Sequence, residues 1–215
     1  MGINKTPEAI IFDFDGTLVD SERITYELVS PIVSKYLGRH FTEDEVNNLR
    51  GVVWKETFRK WFPDRYEELN AQISERWASA NPVLPMYPGI EAMLTSLNHR
   101  GIRMGIASSR EKESLIKSLK RLSIDKYFET VVGQEDTPVH KPHPDPLLLA
   151  MSLMDVKGDS CIYIGDQVTD IHASRSAGMF SGGASWGEGN ESLLKGASPD
   201  YIFTRPDEIL ESMFA

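Results

Sequence analysis

The chain has 215 residues, 40% of them hydrophobic and 26% charged, enough for one substantial core of about 150 residues plus a smaller unit. With 32 acidic against 23 basic residues the net charge is -9, which argues against nucleic-acid and anionic-membrane partners and means that an anionic ligand needs local help from a cation. One cysteine excludes a disulfide framework and suits a reducing cytoplasm, and no apolar run reaches the roughly 18 residues of a membrane span.

Ala9 to Phe14 is a short apolar run ending at Asp15-Gly16, and it reads as a buried strand entering a loop. From Ser21 to about Ala80 the pattern turns helical. Ile24, Leu28, Ile32 and Tyr36 recur every four residues, and Thr42 with Glu45 makes a capped start for a further helix. Trp54, Phe58, Trp61 and Phe62, then Tyr66, Leu69, Ile73 and Trp77, fall at helical spacing and read as the core of a small bundle. Pro82, Pro85 and Pro88 punctuate the chain near a boundary.

Beyond it strands and helices alternate: helix 89–100, strand 102–107, helix 111–121, strand 131–132, helix 145–154, strand 161–164, helix 167–177. Weaker strands near Met179 and Tyr201, a glycine-rich loop from Trp186 to Asn190 and a last helix from Pro206 complete the order. Such alternation predicts an α/β fold with a Rossmann-like, doubly wound parallel sheet. Because the first strand precedes the helical region and the others follow it, that region is an insertion. The expected division is residues 1–17 with 87–215 as the core and 18–86 as an α-helical cap, a lid beside the end of the first strand.

Side chains alternate along an extended segment, so Asp13 and Asp15 point to one side of the strand end. Close carboxylates resist joint ionisation unless a cation neutralises them, and oxygen ligands suit magnesium. An EF-hand loop starting at Asp13 would want glycine at position 18 and glutamate at 24; the chain has Leu18 and Ile24. A second acidic pair, Asp166 and Asp170, follows the strand ending at Ile164-Gly165, at helical spacing. Ser108 stands at the end of strand 102–107 and Lys141 in His140-Lys141-Pro142-His143-Pro144, a hydroxyl and an ammonium of the kind a phosphate's oxygens need. His140 and His143 receive no role. Cys161, inside an apolar run, reads as a buried core thiol.

In this order Asp13-Phe14-Asp15-Gly16-Thr17, Ser108, Lys141 and Gly165-Asp166 with Asp170 resemble the four motifs of the haloacid dehalogenase superfamily, over nearly the whole chain. The likeness is closest to the branch of phosphoglycolate phosphatases and β-phosphoglucomutases, with a helical cap between the first two motifs. It implies a five-stranded parallel core whose first and fourth strands adjoin at the site. It implies Asp13 as nucleophile through an aspartyl phosphate, Asp15 as acid and base, and phosphate contacts from Thr17, Ser108, Ser109 and Lys141. Mg²⁺ would be held by the Asp13 carboxylate, the Asp15 carbonyl and Asp166, with Asp170 orienting a water or Lys141, and Arg50 in the cap would contact substrate.

The expected activity is therefore Mg²⁺-dependent hydrolysis of a small phosphorylated metabolite, phosphoglycolate or a sugar phosphate, in a cytoplasmic monomer or weak homodimer. A phosphomutase and a pyrophosphatase are the alternatives, and a non-catalytic binding module is the remote one. Dehalogenation needs no metal and in the family lacks the second aspartate. Phosphonatase chemistry would need a cap lysine, for which Lys35, Lys55 and Lys60 are the candidates.

Overall fold

The computed structural model describes residues 6–49, 54–187 and 190–214. In chain order the elements are β1 (Ala9–Phe12), α1 (Ser21–Leu37), α2 (Glu43–Leu49), α3 (Trp54–Trp61), α4 (Tyr66–Ala80), α5 (Ile90–His99), β2 (Arg103–Ala107), α6 (Lys112–Arg121), β3 (Thr130–Val132), α7 (Asp145–Met154), β4 (Cys161–Gly165), α8 (Val168–Ser176), β5 (Phe180–Ala184), α9 (Glu191–Gly196), β6 (Tyr201–Phe203) and α10 (Asp207–Phe214). They form two compact units, Met1–Asp20 with Pro85–Ala215, and Ser21–Leu84.

The larger unit is built on a six-stranded sheet, ordered β3-β2-β1-β4-β5-β6, with every neighbouring pair parallel. All four residues of β1 and all five of β4 are buried, as expected of central strands covered on both faces. Ala9, Ile11, Cys161 and Tyr163 face a core made with Leu147, Ala150 and Met154 of α7 and Ala173 of α8. Ile10, Phe12, Ile162 and Ile164 alternate onto the other face, and α5 packs on β2 and against α10. Burial pushes the Cys161 thiol up to about 11, which keeps it protonated and inert.

β1 sits between β2 and β4, so the chain leaves β1 for one side of the sheet and later returns on the other. A crevice opens outside the carboxyl ends of the strands at such a reversal, which fixes where ligands meet an open α/β sheet.

The α/β half follows the sequence pattern closely, and β6 joins the five strands that the resemblance implies. One element departs from it. Residues 191–196, which carry no strong apolar period, form α9, capped by Asn190 whose side chain accepts from Leu193 N at 3.1 Å. A good N-cap and one buried leucine, Leu194, are enough to hold so short a helix against the sheet.

In the smaller unit the aromatic residues pack with one another. Phe58, Tyr66 and Leu69 are buried together with Val29, Val33 and Leu49, flanked by Trp54, Trp61, Phe62, Ile73 and Trp77. The deepest residues of α1 are Val29 and Val33 rather than the four-residue series Ile24, Leu28, Ile32 and Tyr36, which is only partly buried. A strict four-residue repeat drifts by about 40° per step on a 3.6-residue helix, so the buried ridge must cross to a neighbouring row. Thr42 and Glu45 form the expected reciprocal cap, with Glu45 N donating to Thr42 Oγ1 at 3.2 Å and Thr42 N to Glu45 Oε2 at 2.9 Å. Arg50 and Gly51 lie outside the described residues.

Candidate active site

The site grows from three strand ends. Asp13 follows β1 directly, and its backbone N still donates to Ile164 O of β4 at 2.9 Å. The chain then turns sharply. Leu18 N and Val19 N both reach Phe14 O, at 2.9 and 3.1 Å, and Gly16 N reaches Val19 O at 2.9 Å. Gly16 adopts φ +74, and a Cβ there would fall 2.4 Å from Asp166 Oδ2, so both backbone and space require glycine. On the far side Trp186 Nε1 donates to Thr17 O at 2.9 Å, which ties the loop after β5 to this turn.

Lys141 is the hub. Its Nζ lies 3.0 Å from Asp13 Oδ2, 2.7 Å from Asp170 Oδ1 and 2.9 Å from the Tyr163 hydroxyl, with only 6% of the side chain exposed. Tyr163 is fully buried on β4 and donates in turn to Ala107 O, the last carbonyl of β2, at 2.7 Å. Asp170, in the first turn of α8, accepts from Gln167 N at 2.9 Å and is fully buried. A Cβ at Gly165 would lie 2.3 Å from Asp170 Oδ2, so this glycine lets α8 begin against the end of β4.

Asp166 accepts from Gln167 Nε2 at 2.5 Å and from the Thr17 hydroxyl at 3.3 Å. Thr17, expected at the phosphate, is therefore fully buried with its hydroxyl on Asp166. Ser108 is buried and accepts from Arg110 N at 3.3 Å, whereas Ser109 is exposed. The Asp15 carboxylate is gripped by Arg110, Nε to Oδ2 at 2.9 Å and Nη2 to Oδ1 at 2.5 Å.

Asp13, Asp166 and Asp170 each offer an oxygen within 4.8 Å of the others, and all three are buried. Burial, with Asp170 and Asp15 adding repulsion against the pull of Lys141, raises Asp13 to about 6. Burial, then Asp170 and Asp13, lifts Asp166 well above the carboxylate range. Burial opposes the charge on Lys141, yet Asp13 and Asp170 outweigh it and hold the ammonium well above its ordinary value. Among the described residues the four carboxylates, Asp13, Asp15, Asp166 and Asp170, face two cations, Lys141 and Arg110, which leaves a surplus of two negative charges when all four are ionised. Hard oxygen donors short of two positive charges fit one divalent cation.

A pH dependence follows for the metal-free protein. Folded Asp13 keeps its proton to about pH 6, while an unfolded aspartate releases it near 3.8. Across that window the folded state binds more protons, so stability falls as pH rises, by roughly 3 kcal/mol once both states are ionised. Denaturation midpoints in chelator should fall from pH 4 to 6.5 relative to Asp13→Asn; parallel curves for the two proteins would refute this.

Two participants escaped the sequence reading. Tyr163 lies within strand 161–164 and carries no motif, although a phenol at a buried strand position needs a polar partner. Arg110, two residues past Ser108, belongs to no motif that the sequence singles out, although alternation from Ser108 turns it to the same side.

The family description for haloacid dehalogenase-like hydrolases matches residues 10–184, which span β1 to β5 and every residue of the cluster above. The chain belongs to that family. Among its relatives, a protein of Caldanaerobacter subterraneus that carries a provisional pyrophosphatase PpaX name is 30% identical over 201 residues, covering 90% of this chain and 89% of its own. The pyrophosphatase PpaX of Halalkalibacterium halodurans is 26% identical, covering 94% of each. Among solved structures, a Lactobacillus plantarum protein provisionally named phosphoglycolate phosphatase matches with TM-score 0.84 and 25% identity over 97% of this chain and all of its own. A Thermotoga maritima protein provisionally named β-phosphoglucomutase matches with TM-score 0.79 and 26% identity, over 95% and 97% of the two chains. This haloacid dehalogenase-like chain is thus an enzyme of the hydrolase class.

Proposed function

We propose that the chain is a magnesium-dependent phosphatase of small phosphorylated metabolites, with pyrophosphate and phosphoglycolate, named in its relatives, as the leading candidates. The observation that carries this reading is the convergence of Asp13, Asp166 and Asp170 around Lys141 at adjoining strand ends, with a charge deficit of one divalent cation.

In this reading Asp13 attacks phosphorus while the bond to the leaving oxygen breaks, and Asp15 gives that oxygen its proton. Asp15 then takes a proton from the water that opens the aspartyl phosphate, releasing phosphate and restoring Asp13. Ser108 and Lys141 hold the phosphoryl oxygens, where charge grows in the transition state. The Asp13 carboxylate, the Asp15 carbonyl and Asp166 would hold Mg²⁺, which supplies positive charge to the same oxygens. Thr17 and Gln167 support the reading by fixing Asp166, and Asp170 by fixing Lys141. Tyr163 anchors the ammonium from behind.

The purified protein should release phosphate from p-nitrophenyl phosphate with Mg²⁺ and lose that activity in chelator. A correctly folded protein that stays silent with Mg²⁺ across phosphate esters and pyrophosphate sinks the proposal.

A further inference from the structure

Arg110 presents its guanidinium fork beside the proposed acid. Both contacts to Asp15 are charge-assisted, only 16% of the arginine side chain is exposed, and its guanidinium carbon lies 5.6 Å from the centroid of the Phe14 ring. The loop after β2 fixes its backbone through Ser108. Burial works against the charge, but Asp15 and then Asp13 overcome it and raise the guanidinium further. A permanent cation is therefore built into the site on the side where Asp15 stands, which in the phosphatase reading is the side of the leaving group.

Asp15 cannot serve a leaving oxygen while both its oxygens are held in that fork. Its side chain is 32% exposed, so it has room to turn, but turning away leaves a mostly buried guanidinium without its partner, which is costly. The cost disappears if another anion with two oxygens enters the fork as Asp15 leaves it. Carboxylates and phosphates have that shape, and the planar guanidinium suits both.

We propose that Arg110 is a specificity-determining residue that receives a second anionic group, a carboxylate or a phosphate, carried by the leaving group of the substrate. The exchange frees Asp15 for the leaving oxygen, so recognition and placement of the acid are one event. This inference rests on the phosphatase reading and narrows its substrates to small, doubly anionic phosphate compounds. An ester with an uncharged leaving group leaves Asp15 clamped and turns over slowly, unless, as with p-nitrophenolate, the leaving oxygen departs without a proton.

The test compares two ligands that cannot be hydrolysed, phosphonoacetate and methylphosphonate, titrated calorimetrically into the Mg²⁺-loaded protein. Wild type should prefer phosphonoacetate by roughly 30-fold, the scale of one bidentate charge-assisted contact. Arg110→Met should bring the preference to within about threefold, and Arg110→Lys, which keeps the charge but not the fork, should fall between. A wild type without preference, or a preference that survives in both variants, overturns the proposal; if the methionine variant does not fold, the lysine variant alone decides it. Turnover of phosphoglycolate and ethyl phosphate separates the two readings. Preferential binding lost with Arg110, without hydrolysis of either ester or of pyrophosphate, keeps the subsite and removes the phosphatase.

Discussion

Asp13→Asn is expected to lower kcat by on the order of 10⁴-fold or more, because the amide keeps the shape of the carboxylate but cannot attack phosphorus. Asp13 has one oxygen on Phe14 N at 2.8 Å and the other 3.0 Å from Lys141, so the isosteric change leaves the local backbone in place. Asp15→Asn should cost less, roughly 10² to 10⁴, because that residue moves protons and forms no covalent bond. Steady-state rates with Mg²⁺ check both. Turnover by Asp13→Asn within tenfold of wild type would remove Asp13 from the chemistry. The same variant should gain stability in chelator above pH 6, since it deletes one of three crowded negative charges.

Lys141→Met is expected to be the most damaging single change to fold and activity together. It leaves Asp13 and Asp170 buried without their shared cation, and breaking a buried ion pair from one side costs about 3–5 kcal/mol. Because the orphaned carboxylates can take up protons, lowering the pH from 7 to 5 should restore part of that stability, whereas Mg²⁺ at pH 7 restores part of it by supplying charge. Urea midpoints at the two pH values decide the point. A variant that melts within a degree of wild type at pH 7 would show that Lys141 is not the hub. Phosphate release should also fall by at least about 10³-fold, through loss of the charge that meets the phosphoryl oxygens.

The α/β half was legible because its signals are local. Apolar runs such as Cys161–Ile164 are long enough for a strand and too short for a buried helix, and each is followed by a helix start. Asp13, Ser108, Lys141, Asp166 and Asp170 could be chosen for the same reason, since each follows a strand or stands in a proline-rich stretch. The stripe on α1 was harder, because a four-residue repeat names a face only to within a row, and the choice of Val29 and Val33 belongs to the helices packed against it. Residues 191–196 were missed because one cap and one buried leucine leave almost no period to read.

By itself, then, the sequence determined a doubly wound parallel sheet with a helical insertion, and an ordered set of carboxylates, a hydroxyl and an ammonium at strand ends, since strand alternation and motif order are properties of neighbours along the chain. Which of those groups touch was decided by tertiary structure alone. Ion pairs such as Lys141 with Asp170 or Arg110 with Asp15 join residues brought together by the order of strands in the sheet. Their strength depends on a burial that no residue carries in its own name. Tyr163 and Arg110 became part of the site only when the strand ends met, and Arg110 turned a reading of the reaction into one about the charge of the substrate.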